Sequence, residues 1–344
     1  MKINQLLFGM LLLSALGVCG SCTEDTEYTQ GVWKRKSDLD GVARSQACSF
    51  TIGNKGYICC GYRGSNKSRL KDLWVYDIAG NYWTQCEDMP DDAPARVDAV
   101  AFVVGGKGYV TTGGVKDDPY YLADTWEYNP DTDAWTRMDD FKGGKRYGAL
   151  AFSIGNYGYV GTGYNDNWLK DFYRFDPTAA KGEQWTKVDG FGGYKRKYGT
   201  AFVIDDVAYV CCGENNGTLV EDFWKFDGAT WTQLRDIANT DDDDYDDDYA
   251  ITRYSPVSFV IDGKGYITTG YRGGYVSDYW VYYPETDLWF GDSDDDYTPF
   301  EGTSRQQAVS FSTGTRGFVL TGYSSTYYLD DVWELLPYEM EEVD

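Results

Sequence analysis

The chain has 344 residues with 31 basic and 55 acidic side chains, a formal charge of −24, and 17% aromatic residues including 31 Tyr and 12 Trp. So acidic a chain excludes nucleic acid and anionic membrane surfaces as partners, since both need a dense basic face. Histidine is absent, which excludes His-ligated zinc and copper sites, the Ser-His-Asp triad and Cys-His nucleophile pairs.

In chain order, Lys2 opens a positive n-region and Leu6 to Val18 is an apolar run, shorter than the roughly 20 residues a spanning helix needs. It reads as the h-region of a secretory signal. Gly20-Ser21-Cys22 comes next and resembles the lipobox of bacterial lipoproteins, in which the cysteine is lipidated and becomes the new N-terminus. Cys22 is the expected lipidation site; Cys19, which stands where Leu, Val or Ile is usual, is the other candidate, and a cleaved signal without lipid is the alternative. Residues 1–22 are thus read as signal, 23–30 as an acidic linker resembling an outer-face display signal, and 31–344 as the folded part. The expectation is an exported protein, lipid-anchored in the outer membrane and exposed at the cell surface.

Self-similarity dominates residues 31–344. Phe50, Phe102, Phe152, Phe202, Phe259 and Phe311 recur at spacings of 50 to 57 residues. Six residues before each stands an arginine: Arg44, Arg96, Arg146, Arg196, Arg253 and Arg305. Eleven after each stands a glycine: Gly61, Gly113, Gly163, Gly213, Gly270 and Gly322. An Asp-x-aromatic comes after the glycine, as in Asp72 and Trp74 or Asp171 and Tyr173, and a second tryptophan closes the first five units at Trp83, Trp135, Trp185, Trp231 and Trp289.

Each unit predicts four strands. Strand a runs from the arginine through the phenylalanine. A turn such as Gly105-Gly106 leads to strand b, which ends at the repeat glycine. Strand c alternates as in Asp124-Thr-Trp-Glu-Tyr128, and strand d carries the closing Trp. The sixth unit lacks strand d, and Gly31-Val-Trp33-Lys-Arg35 matches Asp133-Ala-Trp135-Thr-Arg137. The expected fold is therefore an all-β, six-bladed β-propeller whose last blade is completed by the N-terminal strand, leaving no open sheet edge.

The glycine ending strand b, the Trp and Tyr of strand c and the closing Trp resemble the kelch repeat across residues 31–344, although the Gly-Gly doublet of that family survives only at Gly113-Gly114. Some kelch-like propellers are copper radical oxidases similar to galactose oxidase; their copper site needs histidines, so that activity is excluded. Others resemble the sialic acid mutarotase, and a similar enzyme acting on a carboxylated sugar is one reading, with Glu214 as its acid or base. A structural platform in an outer-membrane complex is another. With no catalytic set in view, the expectation is a binding module, a monomer, that recognises a glycan, a sugar acid or a protein partner.

The long d–a and b–c connections share one face, and long loops on a rigid scaffold are where ligands bind. The six arginines start strand a around the channel mouth and could offer guanidinium forks, although their regularity also suits a scaffold role. The residue after the repeat glycine is Tyr62, Tyr164, Tyr271 or Tyr323, and in blade 4 it is Glu214. The b–c loops add Tyr120, Tyr121, Trp168, Tyr275, Tyr327 and Tyr328 as rings for a ligand to stack on. The carboxylates of Asp241–Asp248 and of Asp292–Asp296, Asp294 and Asp296 above all, would suit calcium, though no EF-hand spacing is present and solvated loops explain them equally; no other cofactor is expected. Cys59-Cys60 and Cys211-Cys212 fall where other repeats carry Thr-Thr, and are expected as buried thiols rather than bridges.

Overall fold

The computed structural model describes residues 28–238, 249–291 and 297–342. Cys19, Cys22, Asp241–Asp248, Asp294 and Asp296 lie outside the described residues, so the lipidation and calcium expectations have no structural counterpart.

Six four-stranded antiparallel sheets succeed one another, each in the order a-b-c-d from the axis outward. In blade 2, for example, the strands are Val100–Val104, Lys107–Thr111, Thr125–Asn129 and Ala134–Arg137. The ring closes as the repeat implies. Tyr28–Arg35 pairs with Tyr327–Glu342 as the outer strand of blade 6, placing Trp33 opposite Leu335. This strand starts at Tyr28, three residues inside the stretch expected to be linker.

The marker phenylalanine explains how blades stack. Phe102 lies parallel to Tyr109 across its own hairpin, with ring centroids 5.3 Å apart. Its outer edge covers Gly158 of the next blade, where a Cβ would come within 2.1 Å of the ring. The same pairing joins Phe50 to Gly108, Phe202 to Gly265, Phe259 to Gly317 and Phe311 to Gly56. In blade 4 the position is Ala208, buried in one cluster with Phe152. Each inter-blade core is thus aromatic on one side and backbone on the other, the close approach that dense packing requires.

The expected strand a is too long at its start. It begins four residues after each arginine, at Cys48, Val100, Leu150, Thr200 and Val257 in the first five blades. The reason is a kink two residues after the arginine, at Gln46, Asp98, Gly148, Tyr198, Ser255 and Gln307, where φ is positive in every blade. These six kinks are hydrogen-bonded into a closed circle. Asp98 N donates to Gln46 O, Gly148 N to Asp98 O, Tyr198 N to Gly148 O, Ser255 N to Tyr198 O, Gln307 N to Ser255 O, and Gln46 N to Gln307 O. A second circle runs beside it, in which each repeat glycine N donates to the arginine carbonyl of the next blade, from Gly61 N to Arg96 O round to Gly322 N to Arg44 O.

Of the two roles the sequence leaves open for the arginines, ligand fork and scaffold, their placement fits the scaffold. All six are fully buried beneath the mouth. Arg253 donates from both terminal nitrogens to the carboxylate of Asp278, from Nη1 to Thr269 O at 3.2 Å and from Nε to Ile251 O at 2.8 Å. Arg44 with Asp72, Arg96 with Asp124, Arg146 with Asp171 and Arg305 with Asp331 repeat the fork, and Arg196 reaches Asp222. The carboxylate lies in or just before strand c of the arginine's own blade, not of a neighbour's. In five blades the Asp also accepts from the Trp two residues on, for example Trp280 Nε1 at 2.9 Å. With their donors consumed and no surface exposed, Arg44, Arg96, Arg146, Arg196, Arg253 and Arg305 cannot meet a ligand at the mouth.

The carbonyl under each guanidinium belongs to Cys60, Thr112, Thr162, Cys212, Thr269 or Thr321, and each of these has φ between 58° and 66°. The next residue must be glycine: at Gly163 φ is +93° and a Cβ would stand 2.9 Å from Tyr147 O. The four threonine hydroxyls here have no hydrogen-bond partner, so a thiol of similar size is as good or better.

The six described cysteines are unbridged, and Cys59 and Cys60 stand with Cys48 in a buried cluster whose sulfurs lie within 4.8 Å of one another. Burial pushes the Cys59 and Cys211 thiols up, which keeps them from acting as nucleophiles. In the folded protein, Cys48, Cys59, Cys60, Cys211 and Cys212 are expected to resist a thiol reagent for hours and to react at once in denaturant. Fast labelling of these five under native conditions would contradict their placement.

Candidate functional site

Above the two backbone circles, the channel opens on the face of the d–a and b–c loops. The residue after each arginine pairs with the residue after each repeat glycine: Ser45 with Tyr62, Val97 with Gly114, Tyr147 with Tyr164, Lys197 with Glu214, Tyr254 with Tyr271 and Gln306 with Tyr323. These two-residue ladders form the rim. Because the backbone below is fixed by hydrogen bonds alone, rim side chains vary from blade to blade.

The tyrosines join into an arc. Successive ring centroids lie 5.5 Å apart from Tyr121 to Tyr147, 5.9 Å to Tyr198, 6.5 Å to Tyr254, 5.4 Å to Tyr271 and 5.5 Å to Tyr275. From Tyr275 the arc continues to Tyr323 at 6.3 Å, to Tyr328 at 5.1 Å and to Tyr62 at 5.8 Å. Tyr164 and Trp168 branch from it, edge to face at 4.9 Å. Tyr62, Tyr121, Tyr164, Trp168, Tyr271, Tyr275, Tyr323 and Tyr328, all expected from the sequence, therefore lie on this arc or its branch. Tyr147, Tyr198 and Tyr254 complete it and were not anticipated. Tyr120 and Tyr327 are largely exposed.

Part of the arc borders a cavity. A pocket of about 650 Å³ lies between blades 3 and 6, lined among others by Trp168, Lys197, Glu214, Tyr254, Tyr271 and Gln306. Tyr62, Tyr121, Tyr275, Tyr323 and Tyr328 are not among its lining residues.

Lys197 organises this pocket. Its ammonium stands 4.9 to 5.9 Å from the ring centroids of Tyr147, Tyr164, Trp168 and Tyr198 and 3.2 Å from Glu214 Oε1. Burial works against its charge, but Tyr147 and Glu214 outweigh it and hold the Lys197 ammonium above its ordinary range. Glu214 accepts from Gly217 N at 2.8 Å as well, inside a small hairpin of Glu214–Asn215 and Thr218–Leu219. The partner of Glu214 is thus a rim lysine rather than one of the repeated arginines. A carboxylate so engaged is a poor free base.

Beneath the rim lies Asp98, which sequence reasoning missed. It occupies the kink position of blade 2, is 8% exposed, and accepts from Gln46 Nε2 at 2.7 Å and Tyr198 Oη at 3.2 Å. Burial pushes its carboxyl up to about 7 despite those two bonds.

Comparison with known proteins agrees with the repeat. The kelch motif matches residues 43–90, the span of blade 1. The other five blades repeat the blade 1 pattern of Arg, Phe, Gly and Asp-x-aromatic around one axis. Blade 1 carries the kelch motif, and the fold is a six-bladed β-propeller. Over 119 residues this propeller is 29% identical to Kelch-like protein 25 of Xenopus tropicalis and 30% identical to that of Xenopus laevis. Each match covers 33% of the propeller chain and 20% of the frog protein, so the chain spans about a fifth of those relatives. Among solved structures, that of YjhT superposes with a TM-score of 0.68 at 15% identity, over 86% of this chain and 95% of that one. That likeness is one of fold.

Proposed function

We propose that this kelch propeller is a cell-surface binding module, anchored through a lipid at Cys22, that takes a carbohydrate in the pocket between blades 3 and 6. The observation that carries the reading is the aromatic arc beside a 650 Å³ cavity edged by amide, ammonium and carboxylate groups. Rings give flat apolar platforms for the faces of sugar rings, and a few placed polar groups fix orientation. The buried arginines narrow the choice of sugar. A sugar acid would meet Lys197, already paired with Glu214, whereas a neutral or amino-bearing sugar needs no such cation.

A glycan array on the mature chain, with calorimetry on the best hit, tests the reading. Trp168→Ala and Tyr271→Ala are each expected to weaken binding about tenfold or more, or roughly 1–2 kcal/mol. Unchanged affinity in both variants would move the ligand elsewhere. A mutarotase-like activity with Glu214 as acid or base fits less well, because both oxygens of Glu214 are engaged; anomer interconversion of a sugar acid monitored by NMR would reveal it. If no sugar binds, co-purification from membranes tests the platform role.

A further inference from the structure

Under the rim the channel narrows to a throat of about 130 Å³ lined by the kink residues Gln46, Asp98, Gly148, Tyr198, Ser255 and Gln307. It shares Tyr198 and Gln307 with the larger pocket above. The backbone groups of these residues are spent in the closed hydrogen-bonded circle. What remains for a ligand is their side chains, and those are lopsided. Blade 2 supplies a carboxylate, which in this ring no cationic side chain answers. Lys197 and Arg69 act on Asp98 through space, and Lys197 is paired with Glu214. Opposite, Ser255 is 7% exposed and its Oγ has no hydrogen-bond partner, and Gln306 Oε1 in the pocket above is likewise buried and unpartnered.

A buried carboxylate and two idle oxygens are costly unless something fills them. Water or a hydroxyl supplies hydrogen bonds but no charge. A primary ammonium supplies three N–H donors and the missing counter-charge together. We propose that the throat is a subsite for the free amine of an amino sugar carried by the bound glycan, with Asp98 as the recognising carboxylate and Ser255 as a secondary acceptor. This rests on the carbohydrate reading above.

Binding of the amine should depend on pH. An ammonium favours ionised Asp98, so affinity for it is greatest above about pH 7 and falls as pH drops toward 5 and the carboxyl takes up its proton. The groups facing Asp98 are Gln46 and Tyr198 by hydrogen bond and Lys197 and Arg69 by charge. Both cations pull its carboxyl down, opposing burial, and neither titrates in this window.

The test is calorimetry of the full mature chain with a β-1,4-linked glucosamine tetramer and with its fully N-acetylated counterpart. The expected result is at least tenfold tighter binding of the free amine at pH 7, an advantage mostly lost at pH 5, and no preference in Asp98→Asn at either pH. Ser255→Ala should reduce the preference without erasing it, and a thermal melt shows whether each variant is folded. Measurable but equal binding of both tetramers overturns the amine subsite and leaves the carbohydrate reading standing. Absence of binding to these and to every sugar on the array overturns both.

Discussion

Arg253→Leu is expected to destabilise the propeller by about 3–5 kcal/mol, the usual cost of removing one partner of a buried ion pair. The loss is large because one guanidinium serves a carboxylate and three backbone carbonyls. Without it Asp278 keeps only Trp280 Nε1 and the more distant Arg272, and the carbonyls of Ala250, Ile251 and Thr269 lose the guanidinium, Ile251 O keeping only the Cys212 thiol. The Thr269 carbonyl also sits at a positive-φ residue whose conformation the arginine supports. Urea denaturation monitored by tryptophan fluorescence reads the change. Arg253→Leu combined with Asp278→Leu is expected to recover part of the loss, because no charge is then left buried. A single mutant within 1 kcal/mol of wild type would show that the fork is ornamental. The same geometry predicts acid sensitivity. The arginines outweigh burial and hold Asp124, Asp278 and Asp331 below their ordinary value of 3.8. Folded pKa values below unfolded ones mean stabilisation that is complete above about pH 4 and lost as pH falls further.

Trp33→Ala is expected to cost a similar 3–5 kcal/mol, as for a buried aromatic cut to alanine, but to show itself differently. Trp33 is 3% exposed and packs edge-on against Phe300, Tyr279 and Phe259 at 4.9, 6.1 and 6.5 Å. It lies on the strand that joins the two ends of the chain. Hydrogen exchange should therefore rise first in residues 28–35 and 327–342, with blades 2 to 4 protected until global unfolding. Exchange that rises evenly around the ring would mean the closing strand is no weaker than any other.

The blade count and the closure were legible because they rest on composition at fixed offsets: Phe, Gly and Trp recur where only a ring or a glycine fits. The arginine spacing was equally visible, but its meaning was not. Arg253 and Asp278 lie 25 residues apart in sequence, and nothing in the sequence says whether that carboxylate comes from the same blade or the next. The site was legible in half. Trp168, Glu214 and Tyr271 stood out as aromatic or odd residues at or just beyond the repeat-glycine step, and they do line the pocket. Lys197, Tyr198, Tyr254 and Asp98 were overlooked because they come one or two residues after the arginines, at offsets assumed to lie inside a strand. Those offsets carry a signal of their own. They vary between positions that repeat in every blade, which marks them as residues the backbone frame does not depend on.

That independence has a practical side. The two circles of backbone hydrogen bonds hold the mouth together without calling on any rim side chain. Three positions per blade, the two after the arginine and the one after the glycine, can be rewritten while the frame stays intact, provided the second tolerates a left-handed backbone. The mouth is in this sense a ready-made library scaffold: new recognition can be screened there by mutagenesis, as it is on antibody loops, without re-solving the folding problem each time.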